Sequence, residues 1–429
     1  MIQRKNRKYS IPINRAAIII SVLLMVLLLS CKKDNSDKPS GGGNELVKYD
    51  PVAVEKTSTI ATYVHYMPWF ETRETSGNGN WGQHWTMATQ NPDIKDNTGR
   101  RQIASYFYPL IGPYASGDQD VIEYHLLLMK YSGIDGVLFD WYGSLGLYDY
   151  PSIKNNAEAM IDMLDEVGLK FAIVYEDRTI QAALDASYIT DGITAAKADM
   201  DYIASNYFGY DNYITVEGKP LLLVFGPVYF HQASQWTQIT ADMSPKPCFL
   251  ALHGKSGQTG SNSSGEYVWV DNTPLDNIYA TKNNFSVFMG GAYPGFKDFY
   301  KEGGWGDGPG FTYDYNNGET FAANLQKAKT NNMSLLQLIT WNDFGEGTMI
   351  EPTVEFGYTM LEKLQAFEGV SYTKTDLEQF LRLYNLRKAF SGNASAGKAL
   401  DQSFYDFVSL QEANAEAILD SMQTIAGQQ

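Results

Sequence analysis

Short apolar runs recur along the middle of the chain, and longer segments with a helical pattern separate them. Parallel strands that are buried on both faces have this continuous apolar character. Eight runs predict strands, at residues 62–66, 136–139, 171–175, 221–225, 249–252, 267–270, 285–289 and 335–340. The periodic segments predict helices at 119–131, 153–167, 195–206, 230–242, 320–331 and 357–367, with 275–282 as a weaker candidate.

Strands that alternate with helices eight times predict an α/β fold, the (β/α)8 TIM barrel. A doubly wound open sheet is the alternative, but no dinucleotide or phosphate glycine fingerprint follows the first strand. We assign residues 59–370 to the barrel and 371–429 to extra C-terminal helices packed on it. Within these, Thr375 and Glu378 predict a capping box, and a second helix is expected over 398–424.

The N-terminus has the pattern of an export signal. Basic residues precede an apolar run at 16–29, which is shorter than the ~20 residues of a membrane span, so residues 1–30 predict a signal peptide. The run ends in Leu-Leu-Ser-Cys, which resembles the lipobox of bacterial lipoproteins and implies lipidation of Cys31 and a lipid-anchored place in the bacterial envelope. An ordinary signal peptide is the alternative. Residues 31–58 are polar and glycine-rich, which predicts a flexible tether.

Composition narrows the classes of partner. A net charge of −16 argues against nucleic acid or an anionic membrane face, so we expect membrane contact only through the lipid anchor. We also expect a monomer. Cys248 cannot form a disulfide with an acylated Cys31, so the core alone must hold the fold. The 29 Tyr and 8 Trp suit stacking on sugar rings, which favours an oligo- or polysaccharide partner.

The stretch at 335–352 carries the strongest candidate chemistry. It begins with the last predicted strand and contains Asp343 and Glu346, three residues apart, with a glycine on each side of Glu346. Two neighbouring carboxyl groups can hold different protonation states, because burial and mutual repulsion separate their pKa values. Cleavage of a glycosidic bond uses such a pair. The alternative is that these acids are solvated or cap a following helix.

The ends of the other predicted strands would bring acids and aromatic residues to the same rim, where TIM barrels carry their active sites. Each of these residues also has a structural alternative, such as a cap, a surface ion pair or a place in the core. The candidates for substrate contact are His65, Tyr66, Trp69, Asp140, Trp141, Glu176, Tyr293, Trp341 and Asn342.

The long loop at 70–117 is also expected to be functional, because long loops in compact domains usually are. It contains Trp81, His84 and Trp85, which favour that interpretation. The five histidines lack metal-ligand spacing, and the oxygen-rich loop 307–314 lacks the EF-hand pattern. We therefore expect neither a metal nor a cofactor.

The segment Trp341-Asn342-Asp343-Phe344-Gly345-Glu346-Gly347-Thr348, followed by Ile350-Glu351-Pro352, resembles glycoside hydrolase families 71 and 99. Supporting motifs lie at 63–69, 133–141, 175–176 and 293–296. The resemblance spans about residues 60–365. It implies a (β/α)8 barrel, no required cofactor, and hydrolysis of α-linked mannan or glucan chains from within.

The resemblance also implies roles for single residues. Glu346 matches the general acid/base of family 99, Glu176 a substrate-binding glutamate and Trp141 an aromatic residue near the reacting sugar. Asp343 stands where retaining family 99 has a glutamate that acts on the sugar 2-hydroxyl, whereas inverting family 71 has an aspartate. The shorter side chain sets the carboxylate back by ~1.5 Å. That makes room for a water molecule, so both stereochemical outcomes stay open.

We therefore interpret the sequence as a glycoside hydrolase that cleaves an α-mannan or α-glucan from within. Glu346 would give a proton to the leaving oxygen, and Asp343 would act as the partner base. The alternative is a non-catalytic glycan-binding surface lipoprotein with the same barrel, which would keep the aromatic residues but would not need both acids. A sugar transferase of related fold is disfavoured by the export signal.

Overall fold

The structure is a computed structural model that describes residues 45–428. The predicted signal peptide, the predicted lipidation site Cys31 and the first part of the predicted tether lie outside these residues. Within 45–428, none of the helices is long and apolar enough to cross a membrane.

Eight parallel strands close into a barrel, because β3 pairs with β5 and β9 pairs with β1. The two-residue strand β4 pairs antiparallel with the first two residues of β5. The predicted (β/α)8 barrel is confirmed. The strands are β1 (Ala61–Tyr66), β2 (Gly136–Trp141), β3 (Lys170–Tyr175), β4 (Thr215–Val216), β5 (Lys219–Val224), β6 (Cys248–Leu252), β7 (Gly265–Tyr267), β8 (Val287–Ala292) and β9 (Leu335–Leu338).

Helices connect successive strands and cover the outside of the barrel. All six helices predicted with a clear period are present, and the weaker candidate at 275–282 forms a short helix. The helices are α1 (Gln83–Thr86), α2 (Gln119–Tyr131), α3 (Tyr150–Val167), α4 (Arg178–Asp185), α5 (Gly192–Asn206), α6 (Ala233–Ile239), α7 (Ser256–Thr259), α8 (Leu275–Tyr279), α9 (Tyr300–Gly303), α10 (Glu319–Thr330), α11 (Thr359–Glu368), α12 (Lys374–Ala389), α13 (Ala394–Val408) and α14 (Glu412–Ala426).

Local sequence explains where these elements begin and end. Every residue of β2 is buried, as a parallel strand between a packed interior and a helical layer requires. The Asp118 side chain accepts the N–H of Asp120 at the start of α2, and Asp191 caps α5 in the same way. Gly168 ends α3 in the left-handed conformation, with φ 80°.

The C-terminal helices differ in detail from the prediction. The capping box is formed by Thr373 with Asp376, two residues before the predicted Thr375. The single helix expected over 398–424 is two helices, α13 and α14. Leu410 between them has φ 56°, a left-handed conformation that a continuous right-handed helix cannot contain.

Helix α12 packs on α2 and so covers the outside of the barrel. The contact is polar as well as apolar, since Nε of Arg387 lies 2.6 Å from a carboxylate oxygen of Glu123 in α2. Tyr131, at the end of α2, donates its hydroxyl to the carbonyl of Phe407 in α13 at 2.9 Å. The helices after the barrel are therefore bound to its wall through α2.

Residues 46–58 follow the barrel surface, unlike the free tether expected for this part of 31–58. The Val52 N–H donates to the carbonyl of Val408 at 3.2 Å. Lys56 lies 3.1 Å from the fully buried carboxylate of Glu368. The polar composition of the segment did not reveal these partners, because they come from residues more than 300 positions away.

Candidate active site

The chain leaves β9 in a tight turn that holds both predicted catalytic acids. The Asp343 N–H donates to Oγ1 of Thr340 at 2.8 Å, and Oδ1 of Asp343 accepts the Glu346 N–H at 2.9 Å. Gly347 has φ 70°, and a Cβ there would come within 2.5 Å of the Tyr315 hydroxyl. Only glycine fits that position, so the glycine after Glu346 is a requirement of the turn.

Four carboxyl groups meet around one guanidinium group at this rim. Asp140 lies in β2 and Glu176 follows β3, while Asp343 and Glu346 follow β9. Nε of Arg178 is 2.6 Å from Oε2 of Glu176, and its charge acts on all four acids. We call these four acids the carboxyl cluster.

Burial raises the pKa of every member of the carboxyl cluster above its ordinary value, and the charge of Arg178 opposes the rise. The pKa of Glu346 is raised further by the charge of Asp343, and that of Glu176 by Asp140. The cluster therefore holds protons near neutral pH, as a general acid in a glycosidase must.

An open cleft of about 620 Å³ borders this cluster at Asp343. The rings of Trp69 and His84 in its wall stack 4.0 Å apart and nearly parallel. Tyr148 is 67% exposed and Trp305 is 43% exposed, so flat apolar faces remain open to a ligand. The aromatic side chains of the cleft are Trp69, His84, Tyr142, Tyr148, Tyr150, Tyr300 and Trp305. Such a wall suits sugar rings, which need both apolar faces and hydrogen-bond partners.

His65 lies beneath the carboxyl cluster inside the barrel. Its Nδ1 is 3.3 Å from Oε1 of Gln337, and its Nε2 is 4.0 Å from Oδ1 of Asp140. Burial lowers the pKa of His65 to about 4, so its imidazole is neutral at neutral pH. At 4.0 Å the ring makes no hydrogen bond to Asp140, and a neutral imidazole does not offset the charge of that carboxylate.

Five other predicted contact residues are buried in the core. Trp141 stacks on Tyr202 with ring centroids 5.9 Å apart. The Asn342 side chain donates to the carbonyl of Met67 at 3.0 Å and accepts its N–H at 2.8 Å. The five are Tyr66, Trp141, Tyr293, Trp341 and Asn342. Of the nine predicted contact residues, Trp69 alone borders the cleft that residues 45–428 form, so the contacts of the other eight stay predictions.

Glu351, the third acid of the stretch, belongs to a separate buried network. The Tyr114 hydroxyl donates to its Oε2 at 2.7 Å, and Nε2 of His125 is 3.4 Å from its Oε1. The other ring nitrogen of His125 lies 3.2 Å from the hydroxyl of Tyr66. This network joins the long loop, α2 and the end of β1.

The long loop at 70–117 has a small core of its own. Trp85 is fully buried, donates its indole N–H to the carbonyl of Tyr114 at 2.8 Å and stacks on Phe70. Trp81 points away and donates to exposed Asp93. Of the three residues that marked the loop as functional, His84 alone borders the cleft.

Sequence reasoning missed several residues of the cleft. Arg178 is not among the predicted contacts, yet its guanidinium pairs with Glu176 and donates to the Tyr142 hydroxyl at 3.1 Å. Tyr300 donates to Oε1 of Glu346 at 2.8 Å. Tyr142 and Arg178 lie within three residues of the ends of β2 and β3, whereas Tyr300 begins the short helix α9, where no local signal marks it.

In the part of the chain that the structure describes, no group of three or more His, Cys, Asp or Glu side chains is placed to hold a metal ion. In the oxygen-rich loop 307–314, the Asp307 side chain is almost fully exposed and lies 3.6 Å from Lys301.

The model of glycosyl hydrolase family 99 matches residues 58–246 of this chain. The matched part contains Asp140 and Glu176 but ends before Asp343 and Glu346.

Curated relatives match a longer part of the chain. The glycoprotein endo-alpha-1,2-mannosidase-like protein of Danio rerio is 25% identical over 302 residues, which cover 63% of this chain and 65% of that protein. The glycoprotein endo-alpha-1,2-mannosidase of Rattus norvegicus is 24% identical over 343 residues, covering 71% of this chain and 70% of that protein. This chain therefore spans about 65% of the length of the Danio rerio relative.

Solved structures support the fold. The GH99 endo-alpha-mannosidase from Bacteroides thetaiotaomicron superposes with a TM-score of 0.56 at 17% identity, over 73% of this chain and 99% of that chain. A glycoside hydrolase-like protein superposes with a TM-score of 0.52 at 12% identity, over 76% of this chain and 97% of that chain. The family match and the relatives therefore show that this chain is similar to glycosyl hydrolase family 99 proteins, and the solved structures show that it shares their barrel fold.

Proposed function

We propose that this protein hydrolyses α-linked mannan or glucan chains from within, using Glu346 as general acid and Asp343 as its partner. The observation that carries the proposal is the carboxyl cluster beside an aromatic cleft. Glycosidic cleavage builds positive charge on the sugar ring and needs one protonated and one ionised carboxyl group. A rim with four acids and one arginine can meet both needs.

Glu346 suits the role of acid. Burial and the charge of Asp343 raise the pKa of Glu346 to about 8, so it is largely protonated at neutral pH. A carboxylic acid in that state can give its proton to the leaving glycosidic oxygen. Gly345, directly before it, borders the cleft.

Asp343 suits the role of ionised partner. Burial raises the pKa of Asp343 to about 7, and the backbone N–H of Glu346 opposes this rise by donating to the carboxylate. The same hydrogen bond fixes its orientation in the turn. From this position Asp343 would act either on a water molecule or on a sugar hydroxyl.

The remaining groups of the rim would hold the substrate. Asp140 and Glu176 would accept hydrogen bonds from sugar hydroxyls, and the stacked rings of Trp69 and His84 would support a sugar face. The rat relative is named for action on α-1,2-mannosides, so α-mannan is the first substrate to test.

The test is a panel of α-mannans and α-glucans, with NMR detection of the anomer first released. We expect wild type to release oligosaccharides, and Glu346→Gln to lose about 10²–10⁴-fold in rate while still binding the chain. Glu355→Gln, a similar change outside the cleft, is the matched control.

The outcomes separate the alternatives. A released α-anomer means that Asp343 acts on a sugar hydroxyl, and a released β-anomer means that it activates water. If wild type binds these chains but cleaves none of them, the protein is a glycan-binding surface lipoprotein, and the proposal fails.

We also propose that Cys31 carries a lipid that anchors the protein in a bacterial envelope. The support is the basic and apolar N-terminus with its lipobox-like ending. Wild type expressed in a bacterium should take up a labelled fatty acid and partition into detergent, whereas Cys31→Ala should do neither. Unlabelled wild type would contradict the anchor and leave the proposed hydrolysis unaffected.

A further inference from the structure

The two carboxylate oxygens of Glu346 have different surroundings. Oε1 accepts the hydroxyl of Tyr300 at 2.8 Å. Oε2 is buried and has no hydrogen-bond partner among residues 45–428. A proton on this carboxyl group would therefore reside on Oε2, because Oε1 is already engaged as an acceptor.

The backbone holds Tyr300 and Glu346 together. The Lys297 N–H donates to the carbonyl of Glu346 at 3.0 Å, and the Phe299 N–H donates to the carbonyl of Gly345 at 2.8 Å. The loop after β8 and the turn after β9 are thus bonded twice through the main chain. The side-chain bond from Tyr300 is a third link between the same two segments.

The Tyr300 ring is fixed as well. Its own N–H donates to Oδ1 of Asp298 at 3.1 Å, and its ring stacks on Trp305 with centroids 6.3 Å apart. Burial and the charges of Glu346 and Asp343 raise the pKa of Tyr300 above its ordinary value, so it stays protonated at neutral pH. Tyr300 can therefore donate a hydrogen bond but is no source of protons.

From this geometry we infer that Tyr300 is the positioning residue of the catalytic acid, holding Oε1 of Glu346 so that the proton is presented on Oε2. The inference rests on the proposed function and extends it to a residue outside the predicted acid pair. Loss of the Tyr300 hydroxyl would change the acidity of Glu346, which loss of a purely structural contact would not do. A donor to the carboxylate stabilises the charged form, so removal of the hydroxyl should make Glu346 a weaker acid.

Several charged groups also act on Glu346 and must stay unchanged in the test. These are Asp343 in the same turn, Arg178 at the start of α4, Asp298 in the loop after β8 and Asp140 in β2. Tyr300→Phe alters none of them and keeps the ring on Trp305. Tyr106→Phe is the matched control, because Tyr106 packs on neighbouring Phe299 and is not part of the cleft.

The first measurement is the pH dependence of hydrolysis of the α-mannan or α-glucan that wild type cleaves best. We expect Tyr300→Phe to lower kcat by about 10- to 100-fold with KM changed by less than about threefold. Its basic limb should move to higher pH by about 0.5–1 unit. Tyr106→Phe should show the wild-type profile. A lower kcat with an unmoved basic limb would overturn the inference.

The second measurement needs no substrate. Infrared difference spectra against Glu346→Gln follow the protonated carboxyl band of Glu346 across pH in wild type and in Tyr300→Phe. We expect the band to persist to higher pH in the variant, and equal titrations would overturn the inference. If no glycan is cleaved at all, the proposed function fails while this titration still decides whether Tyr300 controls Glu346.

Discussion

Glu346 and Glu351 lie five residues apart in one stretch, yet their surroundings are opposite. Glu351 is buried with a hydroxyl donor, Tyr114, on one oxygen and His125 near the other. Glu346 shares a rim with other acids, and one of its oxygens has no partner within residues 45–428. The first arrangement is what a stable interior needs, and the second is not.

The difference teaches that burial of an acid is not by itself a sign of function. Buried polar groups with complete hydrogen bonding stabilise a fold, whereas acids that crowd each other cost stability and keep protons available for chemistry. Both arrangements follow from one short motif, so the motif combines the turn that carries the two proposed catalytic acids with a buried network beside it.

The largest expected effect is on stability, when Glu346 and Glu351 are each replaced by alanine in separate variants. Glu351→Ala should lower the free energy of unfolding by about 3 kcal/mol, because Tyr114 and His125 lose their shared partner inside the core. Glu346→Ala should change it by less than about 1 kcal/mol or raise it, because it removes a crowded acid at the rim. Urea unfolding followed by tryptophan fluorescence measures both.

The rates of hydrolysis should differ in the opposite sense, when both variants are assayed at a temperature where they are folded. Glu346→Ala should be inactive on the chain that wild type cleaves, and Glu351→Ala should keep measurable activity. If Glu346→Ala were the less stable variant, the claim that Glu351 stabilises the fold more than Glu346 does would be wrong.

A smaller effect on the free energy of unfolding is expected when the pH is changed. The folded pKa is about 8 for Glu346 and about 7 for Asp343, against about 4 in an unfolded chain. The folded state therefore binds more protons between about pH 4 and 8, and its stability falls as pH rises through that window. We expect the double variant Asp343→Asn, Glu346→Gln to lose about 2 kcal/mol less than wild type between pH 7 and 8.5.

Thermal unfolding at a series of pH values measures this slope. The double variant is the necessary comparison, since burial also raises the pKa of Glu123 and Asp199 outside the cleft. Parallel slopes for wild type and the double variant would show that the acids of the turn do not hold the protons we assign to them.

The fold was largely predictable because each barrel strand is a short run of residues that need burial on both faces. That signal is local, and β1 and β3 begin within one residue of the predicted strands. The kink at Leu410 and the packing of residues 46–58 were not predictable in the same way. They depend on partners that are distant in the chain.

The site was predicted in part, and one rule would have improved it. Successive residues in a strand point to opposite faces. Asp140 lies at the rim, so its neighbour Trp141 must face the helices, where it stacks on Tyr202. The same alternation separates His65 from Tyr66. Tyr300 could not be found this way, because only the folded loops bring it to Glu346.

The smallest effect that we predict concerns the hydrogen-bond network around Glu351. The Tyr114 hydroxyl donates to Glu351 and accepts a hydrogen bond from Asn342 at 3.1 Å, so it links the long loop to the turn. Tyr114→Phe removes two hydrogen bonds but keeps the ring, and it should cost about 1 kcal/mol in urea unfolding. Exposed Tyr210→Phe, the control, should cost nothing measurable. If Tyr114→Phe were as stable as the control, the network around Glu351 would not be the support that holds the turn of Asp343 and Glu346 in place.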